Sequence, residues 1–295
     1  MHIKNQKIAL GTVQFGIDYG VSSASGKVSL TEAKKILDYG IKNGIELLDT
    51  APSYGDSEKV LGKIGVNSFN LVSKTRHFSN TVIKDDDAYL LKQDFSKSLE
   101  KLKLDNMYGL LVHNANDLLK PGSHKIFNQL LQLREEKKIK KIGVSVYDSE
   151  QIQSIIDNFD IDLIQLPFNI LDSRLINNNI LNILNNESIE IHVRSVFLQG
   201  LLLMSEQDRP GKFKRWSGIW NIWHQWLNDN NITALEACLR YAVSFQEISK
   251  VLIGVDTKHQ LKEIINSADG HIPDIPLELF INDSNLLNPS NWEKL

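Results

Sequence analysis

Short runs rich in Val, Ile and Leu recur along the chain at positions 8–12, 46–50, 70–74, 107–113, 141–146, 163–167, 189–195 and 251–254. The stretches between them place apolar residues at helical spacing instead, as in Ala33, Ile36, Leu37 and Ile41, or Phe95, Leu99 and Leu102. The alternation predicts eight buried strands, each followed by a crossover helix. An open doubly wound sheet needs fewer strands and usually a Gly-rich first turn, and no GxGxxG follows the first run. The pattern therefore predicts an α/β fold of the closed (β/α)8, or TIM-barrel, class. At 295 residues the chain suits one such domain spanning residues 1–295.

Local signals agree with that reading. Ser29 or Thr31 offers a hydroxyl cap before a helix, and Glu32 lies three positions after Ser29, the spacing of a reciprocal capping box. The Asn-rich segment 177–186 is interrupted by Ile180, Leu181, Ile183 and Leu184, which predicts a polar-faced helix rather than a linker. Two segments exceed the minimal pattern: a rim insertion at about 203–227 and a tail at about 273–295. In the insertion Trp216, Trp220, Trp223 and Trp226 recur every three or four residues, so one helical face carries them. That face either packs on the barrel rim or forms an aromatic wall over a pocket, and the tail could return over the same opening.

Composition narrows the function classes. A net charge of −3 offers no long-range attraction for nucleic acid or an anionic membrane, and 42% hydrophobic with 23% charged residues is ordinary for a globular protein. The basic run Lys137, Lys138, Lys140 and Lys141 follows Arg134-Glu135-Glu136 and reads as a solvated helix end. The one cysteine, Cys238, sits in an apolar helical stretch and reads as a small core hydrophobe. The opening residues 1–6 show no leader pattern and no stretch is apolar over the roughly 20 residues needed to span a bilayer. A cytoplasmic location is expected, with no nucleic-acid or membrane partner; the oligomeric state is open.

The candidate chemistry lies at strand ends, which converge in a barrel however far apart they are in sequence. The second run ends in Leu48-Asp49 and leads to Tyr54, the third ends in Ser73-Lys74, and the fourth ends in Val112-His113. An acid, a phenol, an amine and an imidazole thus arrive at neighbouring rim positions. His113 could instead be a metal ligand, but no HxxxH or carboxylate-spaced His accompanies it, so no metal is expected.

In these residues the sequence resembles the aldo/keto reductase family. Asp49 with Tyr54 in a DTAxxYG context, Lys74 after LVS and His113 in LLVH match the family's catalytic four in identity and order. The likeness also takes in Leu10-Gly11-Thr12, Gly55-Asp56-Ser57-Glu58 with Leu61-Gly62, Gln199-Gly200-Leu201-Leu202 and Ile253-Gly254, and so spans nearly the whole chain. It implies an oxidoreductase that reduces the carbonyl of an aldehyde, ketone or sugar. Tyr54 would protonate the developing alkoxide, Lys74 would lower the phenol's pKa, Asp49 would keep Lys74 charged and oriented, and His113 would orient the carbonyl and help shuttle the proton. Arg194, Gln199, Arg76 and His77 near strand ends favour a polar substrate.

The resemblance also implies NADPH as cofactor, with NADH the alternative. Gly11 and Thr12 after strand one, Gln199 and Gly200 after strand seven, and Gly254 after strand eight belong to the implied cofactor contacts. Ser145 and Gln165 would hold the nicotinamide carboxamide, although Val146 stands where many members have Asn. Arg194, followed by Ser195, occupies the position of a stacking Tyr and could stack, or could reach an anionic substrate or the pyrophosphate. After strand eight Thr257 suits a helix cap, Lys258 could neutralise a 2'-phosphate, and Glu263 matches an adenine-contacting carboxylate. Gln260 and Ile264 replace the usual Arg and Asn, which weakens the expectation of NADPH. Two rival readings keep the barrel: a nucleotide-binding regulatory subunit with little turnover, and a Schiff-base aldolase using Lys74.

Overall fold

The computed structural model describes residues 6–20, 26–147 and 150–295, so residues 1–5 of the N-terminal segment read for a leader lie outside it. Among the described residues the apolar runs form eight strands, β1 (Ile8–Gly11), β2 (Leu47–Asp49), β3 (Asn70–Lys74), β4 (Met107–Val112), β5 (Ile139–Ser145), β6 (Leu163–Pro167), β7 (Glu190–Arg194) and β8 (Ile248–Ile253). Each pairs in parallel with its sequence neighbours, and β8 closes onto β1 through Ile8↔Val251 and Leu10↔Ile253. The fold is the predicted (β/α)8 barrel.

Strand side chains alternate between two faces, and the alternation sorts the core into two layers. Ala9, Leu47, Val72, Leu111, Leu163 and Leu252 form a small apolar plug inside the barrel. Their strand neighbours Ile8, Leu10, Leu48, Leu71, Leu110, Ile164 and Val251 belong to the larger layer under the helices. Two residues past each plug residue, the inward face carries Gly11, Asp49, Lys74, His113, Gln165 and Gly254. The apolar plug thus supports a polar ring at the C-terminal mouth.

The outer layer is completed by α1 (Leu30–Lys42), α2 (Ser57–Ile64), α3 (Asp85–Leu102), α4 (Asn116–Leu119), α5 (His124–Glu135), α6 (Glu150–Ile156), α7 (Arg174–Asn177), α8 (Ile180–Asn186), α9 (Ser217–Asp229), α10 (Ala234–Ser244), α11 (Lys258–Ser267) and α12 (Ser284–Leu287). The Asn-rich segment folds as the two short helices α7 and α8, because Asn179 between them adopts a left-handed backbone with φ 56°. The basic run is not one helix end. Lys137 leaves α5 with φ 56°, while Lys140 and Lys141 already belong to β5. Ser29 caps α1 through the amide of Glu32, yet the Glu32 carboxylate turns away to Lys35 and the amide of Lys258 instead of closing a capping box.

The four tryptophans pack on the rim, and none of them lines the large cavity at the barrel mouth. Their indole N–H groups donate to Asp283, Phe213 O, Leu202 O and Asp274 O for Trp216, Trp220, Trp223 and Trp226 respectively. Two of these acceptors lie in the tail, and Trp292 adds an edge-on contact with Phe213 at 4.8 Å. The tail is therefore fastened to α9 and to an isolated bridge between Asp172 and Ile281, and none of its residues lines the large cavity at the barrel mouth. Cys238 is buried, and burial pushes its thiol pKa up, as for an inert core residue. No helix among the described residues is long and apolar enough to cross a membrane.

Candidate active site

The four strand-end residues meet at the mouth. Lys74 Nζ lies 2.5 and 2.7 Å from the two carboxylate oxygens of Asp49 and donates to Thr50 O at 3.2 Å. Gln165 Nε2 donates to Asp49 Oδ2 at 2.8 Å, so this glutamine, expected to hold a carboxamide, also fixes the acid. Lys74 Nζ also sits 5.0 Å from the centre of the Tyr54 ring. The Tyr54 and His113 rings meet edge-on at 6.3 Å, and His77 lies 4.7 Å behind His113.

Tyr54 projects from a loop, so its position depends on what clamps that loop. The 3-10 turn Val13–Phe15 leads into Gly16, where a Cβ would lie 1.7 Å from Tyr54 O. Gly55, at φ +55°, presses on Gly16 O from the other side. Below them Ser57 Oγ donates to Thr12 O at 2.9 Å while Thr12 Oγ1 donates to Asp49 O at 2.9 Å. Buried Glu58 accepts from Ser73 and Lys101. The Gly-Asp-Ser-Glu motif thereby ties the ends of β1, β2 and β3 into one rigid seat.

The electrostatics follow from burial and these contacts. Burial opposes charge on Lys74, but Asp49 and Tyr54 raise its pKa above the ordinary lysine value, so it stays an ammonium. Burial also raises the Tyr54 pKa, and it outweighs the lowering by Lys74. The phenol is therefore fully protonated at neutral pH. Burial, Lys74, His77 and Arg194 bring His113 down to about 3, so it presents a neutral imidazole and does not hold a stored proton for a shuttle.

A cavity of about 510 Å³ opens on this quartet and runs to the start of α11. Its size suits a small-molecule or cofactor site. Gln14 Oε1, His113 Nδ1 and Asp256 Oδ1, all from residues lining it, are buried without hydrogen-bond partners among the described residues. Of the residues expected to touch a nucleotide, Gly11, Thr12, Ser145, Gln165, Arg194, Ser195, Gln199, Gly200, Gly254, Gln260 and Glu263 line the cavity. Thr257 and Lys258 do not. Thr257 caps α11, and the Lys258 ammonium lies 5.3 Å from the centre of the Tyr39 ring. Arg194 stacks 4.2 Å from the centre of Tyr147 and donates to Val146 O at 3.0 Å, so the residue replacing the usual Asn supplies an acceptor through its backbone.

Left-handed backbone at Ser195, Leu198 and Gln199, with φ of 63°, 48° and 54°, folds the β7 loop back over the cavity. Gln199 Nε2 reaches Tyr19 Oη at 3.2 Å and closes that side. Tyr19, Tyr147, Phe197, Gln14 and Asp256 line the cavity although nothing in their local sequence marked them. Their signal was positional only, since each follows a strand. A second cavity of about 340 Å³ lies behind His113 and is lined by His77 and Arg76. Arg76 lies on this second cavity, with its Nε paired to Asp94 at 2.5 Å. Among the described residues no group of three or more His, Cys, Asp or Glu is arranged to hold a metal.

Comparison with known proteins points the same way. The model of the aldo/keto reductase family matches residues 7–275. The chain is 27% identical over 184 residues to an NADH-specific methylglyoxal reductase of Escherichia coli, covering 54% of each chain. It is 28% identical over 181 residues to a glyoxal reductase of Bacillus subtilis, covering 59% of this chain and 62% of that one. The chain thus spans a little over half the length of these two relatives. In fold it is similar to an aldo-keto reductase from Bacillus halodurans in its holo form, with a TM-score of 0.71, 18% identity and coverage of 91% and 88% of the two chains.

Proposed function

The chain belongs to the aldo/keto reductase family, and on that premise we propose that it reduces the carbonyl of a small polar aldehyde, ketone or sugar, with a nicotinamide nucleotide as the hydride source. The observation that carries the reading is the buried Asp49–Lys74 pair set against Tyr54 at the floor of the cavity. A bound reduced nicotinamide would supply the hydride to the carbonyl carbon. The charge then gathering on the carbonyl oxygen needs a donor in place. Tyr54 is that donor: burial keeps its proton on at neutral pH, and the Lys74 ammonium stabilises the phenolate left after transfer. Asp49, held by Gln165, keeps Lys74 charged and aimed. Neutral His113 offers a ring N–H that orients the carbonyl.

Ser145 and Gln165 are the polar side chains at the cavity wall suited to a nicotinamide amide, and Arg194 on Tyr147 forms a flat cationic face beside them. The relatives named for methylglyoxal and glyoxal reduction favour short, polar dicarbonyls as substrates. A Schiff-base role for Lys74 is disfavoured, since a lysine held as an ammonium by a carboxylate is not a free amine nucleophile.

The test is oxidation of NADH or NADPH with a panel of polar and apolar carbonyls, comparing the protein with Tyr54→Phe. Loss of about 10²–10⁴-fold in turnover with nucleotide binding retained is expected. Equal turnover in Tyr54→Phe removes it as the acid, and activity confined to apolar carbonyls removes the polar substrate class.

A further inference from the structure

The cavity is electrically lopsided. The lysine and arginine among its lining residues are Lys74 and Arg194, both at the Tyr54 end. Its other end, where β8 gives way to α11, is lined by Asp256, Gln260 and Glu263. If a nicotinamide must meet a carbonyl at Tyr54, the remainder of a dinucleotide has to run toward this second end.

Asp256 brings a carboxylate to this end. Its Oδ1 is buried and has no hydrogen-bond partner among the described residues. A ribose hydroxyl would satisfy it, as a carboxylate does in other dinucleotide sites. A 2'-phosphate, carrying about −1.5 to −2 charges, would face it as a like charge.

Four of the amides that could otherwise cradle a phosphate, those of Asp256, Thr257, Lys258 and Gln260, are already used. Gln260 Oε1 accepts from Asp256 N at 2.7 Å and Thr257 N at 3.3 Å, and Thr257 Oγ1 accepts from Gln260 N at 3.1 Å. The amide of Lys258 donates to Glu32 Oε1 at 2.9 Å, across from α1. Glu32 is thus a resident anion at the start of α11, on the pole that a phosphate would seek. That amide and Lys35 hold its carboxyl below the usual carboxylate range, so it is charged at neutral pH. The Lys258 ammonium also helps hold that charge on Glu32, but it lies against Tyr39 and does not line the cavity.

We propose that Asp256 receives the adenosine ribose and that, with Glu32, it excludes a 2'-phosphate, making this protein selective for NADH over NADPH. The proposal rests on the reductase reading, and it reverses the cofactor preference that the family resemblance alone implies.

Calorimetric titration of the full-length protein with NADH and with NADPH, no carbonyl present, tests it without relying on turnover. NADH is expected to bind at least about tenfold tighter. The charge-removing pair Glu32→Gln and Asp256→Asn keeps an acceptor oxygen at each position, and the double variant is expected to bind NADPH at least about tenfold more tightly than the parent does. NADH, which loses the carboxylate that receives its ribose, is expected to bind more weakly, so the preference for NADH over NADPH falls by well over tenfold. NADPH binding as tightly as NADH in the unaltered protein overturns the selectivity while leaving the reductase reading intact. Failure of both nucleotides to bind overturns the reductase reading itself.

Discussion

Lys74 and Asp49 form a closed ion pair: the ammonium touches both carboxylate oxygens, at 2.5 and 2.7 Å, and the two side chains are only 1% and 6% exposed. Such a pair is weak evidence of net stabilisation, because desolvating two ions costs about as much as their attraction returns. Its consequence lies in what happens when one member is removed.

Asp49→Asn leaves the Lys74 ammonium buried without its anion. The expected loss is about 3–5 kcal/mol in urea unfolding, with part of it recovered in the Asp49→Asn, Lys74→Met double variant. If the single variant unfolds at the parent's midpoint, the pair does not hold Lys74 charged.

A second charged cluster lies at the opposite end of the barrel. Glu190 accepts from Tyr108 Oη at 2.6 Å, contacts His192 Nε2 at 2.7 Å and pairs with Lys141. Burial opposes its charge, but hydrogen bonds from His192, Lys141 and Tyr108 prevail and bring its pKa to about 2. A depressed folded-state pKa means that the unfolded chain binds the proton more readily, so this contribution is present above pH 4.5 and is lost as pH falls toward about 2. The shift corresponds to on the order of 3 kcal/mol. Stability of Glu190→Gln should be lower at neutral pH and fall less steeply on acidification. Parallel pH slopes for parent and variant in urea unfolding would rule out the linkage.

Much of the site was legible because a barrel strand obeys a period of two. Once Leu47, Val72, Leu111 and Leu163 are inward, Asp49, Lys74, His113 and Gln165 must be inward one layer higher. Local sequence also carries the Thr257 cap and the division between strands and helices. Contacts between distant segments were not legible. The Glu32 carboxylate meets the Lys258 amide across 226 positions, and nothing in the Ser29-to-Glu32 capping pattern foretells that it turns outward. Gly16 allows the first loop to press on Tyr54 only because two backbones meet there. For the same reason the spacing of Lys258 after Thr257 could not reveal that its ammonium prefers the face of Tyr39.

The tryptophan helix gives the remaining prediction. Periodicity placed Trp216, Trp220, Trp223 and Trp226 on one helical face, of which α9 carries the last three with Trp216 as its N-cap, but could not say what that face covers. In the fold it covers the β7 loop and the tail: Trp223 is fully buried and donates to Leu202 O, while Trp226 donates to Asp274 O. None of the four lines the cavity, whereas Tyr147 does. Trp223→Ala should therefore cost about 3–5 kcal/mol in unfolding. At a temperature where the variant remains folded, its KM for the carbonyl should stay within about twofold, because remote packing contributes no differential binding. Tyr147→Ala should do the reverse, raising KM with little change in stability, since it removes the surface on which Arg194 is stacked. A folded Trp223→Ala protein whose KM rises as much as that of Tyr147→Ala would restore the aromatic-wall role to the tryptophan face.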